Sequence, residues 1–183
     1  SCTYSGQPYP DTFKVTPTAG NSGKFDIAET KFALKDKNGN YSSTLTSERP
    51  RNAGTYGVYV TTQNEASGIA RATDLYIVDI TIEKANVQNY WFTIPESITY
   101  GNDSDDVLKP KIAANYQGYI TEVDCGTISY TLYYLSNYTE PLSRNKENQY
   151  DATRYLESSK EIYWMGITCT GSANVNATTG IVK

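Results

Sequence analysis

The apolar residues of this chain alternate with polar ones over short runs, and turn-forming residues separate the runs. The clearest run is Asn52-Ala53-Gly54-Thr55-Tyr56-Gly57-Val58-Tyr59-Val60-Thr61. Ala53 and Gly54 turn the chain, after which Tyr56, Val58 and Val60 fall on one face at period two, the signature of a half-buried strand. Leu75, Ile77, Ile80 and Ile82 mark a second alternating run over 72–84. Lys24–Ile27 and Lys31–Asp36 read as strand, closed by Lys37-Asn38-Gly39-Asn40, where Asn-Gly accepts the positive φ a tight turn needs. Residues 2–18 read as a strand, a turn at Gly6-Gln7-Pro8 and a second run through Phe13 and Val15. Pro8, Pro10 and Pro17 confine that region to an edge or a bulge, because proline donates nothing to a ladder.

The order of these signals then repeats. Thr3-Tyr4-Ser5-Gly6 is answered by Thr99-Tyr100-Gly101, and Phe32-Ala33-Leu34 by the run Ile128–Tyr134. The Gly54–Thr62 strand is answered by Glu161–Thr168, and Asp74–Lys84 by Thr178–Lys183. Self-similarity at this scale predicts two related units, 1–87 and 88–183. Short strands at this spacing predict an all-β chain, with each unit a sandwich of two antiparallel sheets. A single barrel is the alternative, and the repeat argues against it. Ile80–Val87 contains neither Gly nor Pro, so a short, stiff join is expected.

Composition supports strands. Seventeen tyrosines against one methionine, with thirteen glycines and no histidine, favour pleated surfaces and turns over helices. The missing histidine also removes the usual physiological general base and the commonest metal ligand, and no catalytic set or cofactor motif is legible. The formal charge of −4, without a cluster of Lys or Arg, gives no electrostatic footprint for nucleic acid. No apolar stretch approaches the length that crosses a bilayer, so no membrane insertion is expected of this segment. The chain opens inside what reads as a first strand, which points to a piece of a longer protein.

At Pro50-Arg51-Asn52-Ala53-Gly54-Thr55-Tyr56-Gly57-Val58, together with the closing Ile80-Thr81-Ile82-Glu83-Lys84-Ala85, the first unit resembles the immunoglobulin-like MBG-type repeats of bacterial surface proteins. Those modules open on a Thr-Tyr-x-Gly element and close on Ile-x-Ile-x-Lys-Ala. The resemblance covers most of residues 2–86. In the second unit Ser158-Ser159-Lys160-Glu161-Ile162-Tyr163 departs from the Ala-Gly-Thr-Tyr strand and no Lys-Ala ending follows. The resemblance implies two tandem immunoglobulin-like antiparallel β-sandwiches in a non-catalytic structural and adhesive segment of a larger cell-surface or secreted protein, beside neighbouring repeats and with a host or matrix glycan or protein as partner. It carries over no binding residue.

If Cys125 starts one strand and Cys169 ends its antiparallel partner, the two meet. A disulfide there closes a loop of about 45 residues and contributes about 4 kcal/mol in the chain-entropy model; a buried free pair and a metal or redox site are the other readings. Cys2 is left over as an apolar strand residue. Asp103, Asp105 and Asp106 in the acidic stretch Gly101–Asp106 offer hard oxygen ligands for calcium, against a plain solvated turn. Tyr133, Tyr134, Tyr138, Tyr150 and Tyr155 lie in or beside the polar excursion 136–159 and are candidates for stacking on sugar rings, against packing on neighbouring strands. An isopeptide bond would be sought between Lys109 or Lys111 and Asn174 or Asn176. Trp91 and Trp164 read as anchors of an interface and a core.

Overall fold

The structure is a computed structural model that describes residues 1–10, 25–64, 72–96, 105–112, 124–133, 141–142 and 163–182. Among these residues the chain is mostly strand with almost no helix. It divides into two compact units, Ser1–Lys84 and Ala85–Lys183. The expected strand through Phe13 and Val15, Thr99-Tyr100-Gly101 and the excursion 136–159 lie outside the described residues, apart from Pro141 and Leu142.

The first unit holds β1 (Cys2–Thr3), β2 (Phe25–Lys35), β3 (Gly54–Asn64) and β4 (Leu75–Glu83), hydrogen-bonded in the order β1-β4-β3-β2. The three long strands form an antiparallel meander, and β1 joins β4 in parallel through Cys2 opposite Ile82. Central strand β3 carries the alternation that the sequence shows most clearly. Val58 pairs with Phe32 and Val78, and Tyr56 pairs with Leu34 and Ile80. Phe32, Val58 and Ile80 form a buried cluster against which Tyr9 and Tyr56 pack. Burying three such side chains contributes roughly 1.5–3 kcal/mol each.

The turn after β2 is built by Asp36, whose carboxylate accepts the backbone N–H groups of Asn38 and Asn40, each at 2.8 Å. Gly39 takes the positive φ of 88°. The chain then doubles back along β2 through bridges Lys35–Tyr41 and Phe32–Thr46, which covers that edge of the sheet. On β4, Val58 faces Val78 but Tyr59 faces Tyr76, so Ile77 is an extra residue in a β-bulge.

The second unit holds β5 (Phe92–Thr93), β6 (Lys111–Ile112), β7 (Ile128–Tyr133), β8 (Trp164–Cys169) and β9 (Thr178–Val182). β5 and β6 pair as a two-stranded sheet, while β7-β8-β9 is an antiparallel meander. On β8, Met165, Ile167 and Cys169 point inward and are buried, an alternation at period two. Trp91 ends a short 3₁₀ turn, Asn89–Trp91, and is 1 % exposed. It is therefore a core residue of this unit. The run Ile80–Val87 does not form a separate join. Ile80–Glu83 belongs to β4, and Ala85 bridges in parallel to Val175 within the second unit.

The described strands form one four-stranded, one two-stranded and one three-stranded sheet. All-β holds among the described residues, in three small sheets. Within the acidic stretch, Asp105–Leu108 form a single helical turn, α1, with Leu108 buried. No described helix is long and apolar enough to cross a membrane.

Candidate functional site

The face of the first sheet opposite its buried cluster carries a group of tyrosines. Alternation puts Ala33, Lys35, Thr55, Gly57, Tyr59, Tyr76, Asp79 and Thr81 on this face. Tyr41 reaches it from the segment that doubles back along β2. Its ring lies over Gly57, where an added Cβ would stand 2.8 Å from the Tyr41 ring. A glycine in mid-strand weakens a sheet by leaving no side chain to pack, and here the neighbouring ring fills that gap.

Tyr41, Tyr59 and Tyr76 then meet one another. Ring centroids are 6.1 Å apart for Tyr41–Tyr59 and 5.7 Å apart for both Tyr41–Tyr76 and Tyr59–Tyr76, with edge-to-face and tilted geometry that suits aromatic quadrupoles. Asp79 anchors the group. It accepts the Tyr41 hydroxyl at 2.7 Å, the Tyr76 hydroxyl at 3.3 Å and the Lys35 ammonium at 2.8 Å. The ammonium also stands 5.1 Å from the centre of the Tyr41 ring. Tyr76 remains 45 % exposed, so the cluster presents a ring to solvent.

The electrostatics are those of a mutually satisfied network. The hydrogen bond from Lys35, followed by that from Tyr41, holds the Asp79 carboxyl below its ordinary range. The hydrogen bond to Asp79 raises Lys35. Tyr41 is raised by its hydrogen bonds to Tyr76 and then to Asp79, and stays a phenol throughout the physiological range. Further along the same face, Lys31 pairs with Asp74 at 3.0 Å and Glu29 at 3.4 Å.

These tyrosines are not the ones that the sequence singled out. Of the five proposed for sugar stacking, Tyr134, Tyr138, Tyr150 and Tyr155 lie outside the described residues. Tyr133 is half-buried, and its ring lies over Gly166, where an added Cβ would come within 2.9 Å of it. The signal missed was the bulge at Ile77, which sets Tyr76 opposite Tyr59; alternation without register does not reveal it.

The cysteine expectation fares differently. Cys125 and Cys169 are both buried, 1 % and 4 % exposed, and they influence each other's titration. Both are free thiols in this structure, which is the buried free pair among the readings open from the sequence. Burial, followed by the hydrogen bond with Cys125, pushes the Cys169 thiol up to about 12. Cys2 is a half-buried residue of β1.

Asp103 lies outside the described residues, while Asp105 and Asp106 open α1. No group of three or more His, Cys, Asp or Glu able to hold a metal occurs among the described residues. Of the isopeptide candidates, Asn176 has its side-chain amide hydrogen-bonded, and Asn174 and Lys111 take part in backbone pairing. The Asn176 amide donates to Asn86 Oδ1 at 2.8 Å, the Asn174 carbonyl accepts the Ala85 N–H, and Lys111 lies in β6 opposite Thr93. Comparison with protein-family models, curated proteins and solved structures finds no match to this chain.

Proposed function

We propose that the chain is a non-catalytic structural and adhesive segment of a larger exported bacterial protein, with each unit an immunoglobulin-like β-sandwich. The observation that supports an adhesive rather than a purely spacing role is the Tyr41–Tyr59–Tyr76 cluster on the outward face of the first sheet, fixed by Asp79 and open at Tyr76. Preorganised aromatic surface costs little conformational entropy on binding, because Tyr carries few rotatable bonds and these are already held.

A second reading makes the ligand a carbohydrate. The exposed ring of Tyr76 offers a stacking face and the Asp79 carboxylate beside it accepts hydroxyl donors, which is the chemistry of a sugar site. Arrays of immobilised glycans and matrix proteins, probed with the full chain and with Tyr76→Ala, test both. Retention on either array that falls by about ten-fold in Tyr76→Ala supports adhesion through this face, and glycan selectivity supports the second reading. Silence on both arrays, or retention unchanged by the substitution, removes this face from the account. Retention lost with Tyr133→Ala alone would move the site to the second unit.

A further inference from the structure

The backbone hydrogen bonding between the β7 and β8 ends continues past the ladder, into the entry to β7 and the exit from β8. Thr170 N–H donates to the Thr127 carbonyl at 3.1 Å, and Gly171 N–H to the Cys125 carbonyl at 2.9 Å. The approach depends on two glycines. Gly126 and Gly171 have φ of 79° and 80°, and a Cβ on Gly126 would stand 2.2 Å from the Gly171 carbonyl oxygen. The loop is fixed from its other side as well. Asp124 accepts the Gly126 N–H at 2.9 Å, and Thr170 Oγ1 accepts the Thr127 N–H at 2.9 Å.

Cys125 precedes the positive-φ turn at Gly126 and is buried, as is Cys169 at the end of β8, and the two thiols interact electrostatically. Ile128, the register partner of Cys169, flanks them. The first unit shows what a non-reactive solution looks like here. Counting from the fully buried β-branched residue of each central strand, Val58 and Ile167, the place two residues on is Val60 in β3 and Cys169 in β8. Val60 fills its place by packing alone. A pair of buried, interacting thiols offers covalent chemistry that the valine lacks. Cys2, the third cysteine of the sequence, lies in the other unit.

We propose that Cys125 and Cys169 form a redox-convertible staple, closed by exchange with a small-molecule disulfide such as oxidised glutathione. One cysteine thiolate attacks a sulfur of the glutathione disulfide, forming a mixed disulfide and releasing one glutathione thiolate. The second cysteine, as thiolate, attacks the protein sulfur of that mixed disulfide and releases the second glutathione. Two protein thiols lose two electrons and two protons, and one disulfide is reduced to two thiols. The thiolate is the attacking species, and burial disfavours it in the folded unit. Exchange therefore runs fast before the β7–β8 pair closes and slowly afterwards. Once made, the bond is shielded by the same burial. This inference stands independently of the adhesive reading.

The test uses the full chain refolded from denaturant with oxidised glutathione, then alkylated and analysed by intact mass and peptide mapping. The expected product is a monomer in which the peptides carrying Cys125 and Cys169 are linked, Cys2 alone accepts alkylation or glutathione, and the native, never-unfolded chain converts far more slowly. A reductant should then lower the melting temperature of the linked product by on the order of 15 °C, because the bond constrains a long loop of the unfolded chain. That reductant effect should vanish in Cys169→Val, which copies the residue used in the first unit. Should Cys169→Val fail to fold, the peptide map and reductant shift of the unsubstituted chain still decide. Alkylation or stable glutathionylation of both Cys125 and Cys169 after refolding, or a link from either to Cys2, would overturn the proposal.

Discussion

The two units solve one problem with different side chains. Each has a three-stranded antiparallel meander, β2-β3-β4 or β7-β8-β9, whose central strand carries a glycine followed by a β-branched residue with no measurable exposure. These pairs are Gly57-Val58 and Gly166-Ile167. In both, a tyrosine ring lies over the glycine, Tyr41 in the first unit and Tyr133 in the second. The difference lies beyond this shared centre. The first unit adds a hydrogen-bonded Tyr–Asp–Lys network on an open face, and the second adds two buried thiols at the strand end. Similar backbones thus expose their specific chemistry on one side in one unit and conceal it in the other.

The shared centre is the easiest part to break. Ile167→Ala should cost about 3–4 kcal/mol and Val58→Ala about 2–3 kcal/mol, each read from the denaturant midpoint of its own unit. A cost near zero for either would show that its strand is not central. Gly126→Ala comes next, at about 2–3 kcal/mol, since the added Cβ meets backbone as well as an unfavourable φ. Gly39→Ala has the same φ problem but meets nothing within 4 Å, so it should cost only about 1 kcal/mol. Equal losses at the two positions would argue against the close approach beside Cys125.

Gly57→Ala and Gly166→Ala sharpen the comparison. Each places a Cβ against a tyrosine ring, and each should cost about 1 kcal/mol if that ring has to move. Trimming the ring should then relieve the clash, so Gly57→Ala should be less damaging in a Tyr41→Ala background, and likewise Gly166→Ala with Tyr133→Ala. Additive losses in either double-mutant cycle would mean that the ring and the glycine do not touch.

The smallest effect is electrostatic and confined to the first unit. Asp79 has a lowered folded pKa, so its contribution is present above the ordinary carboxylate value of about 4 and disappears as pH falls through the folded value. Lys35 and Tyr41 have raised folded pKa values, so their contributions are present below about 10 and disappear as pH rises through the folded values. The outer network should therefore support the first unit between about pH 5 and 9. Asp79→Asn should flatten its acid limb and leave the second unit unchanged. Partial exposure and salt keep this effect small, and it should shrink further at high ionic strength.

The sequence made some of this legible for clear physical reasons. Alternation found β3, β7 and β8 because each buries one side, whereas in β4 only Ile80 and Ile82 of the alternating residues are buried and Leu75 and Ile77 are exposed. Asn38-Gly39 announced its turn through the positive φ that Gly39 adopts. The order of the two meanders was readable as a repeat of signals. The tyrosine cluster was not, because one extra residue at Ile77 decides which side chains of β4 stand opposite β3. Tyr41 was hidden for a related reason, since its place over Gly57 depends on a segment that doubles back along β2. The antiparallel pairing of the strands beside Cys125 and Cys169 was readable from their alternation, whereas the bonding state of the two thiols depends on oxidant and access, which spacing does not encode.

Amide hydrogen exchange of the native chain, followed residue by residue, tests the shared architecture most directly. β3 and β8 are each bonded on both sides, so the slowest amides should form two separate centres, one at Val58–Val60 and one at Gly166–Ile167. Strong protection in one of these strands with rapid exchange throughout the other would contradict the claim that both units are built around an equivalent central strand.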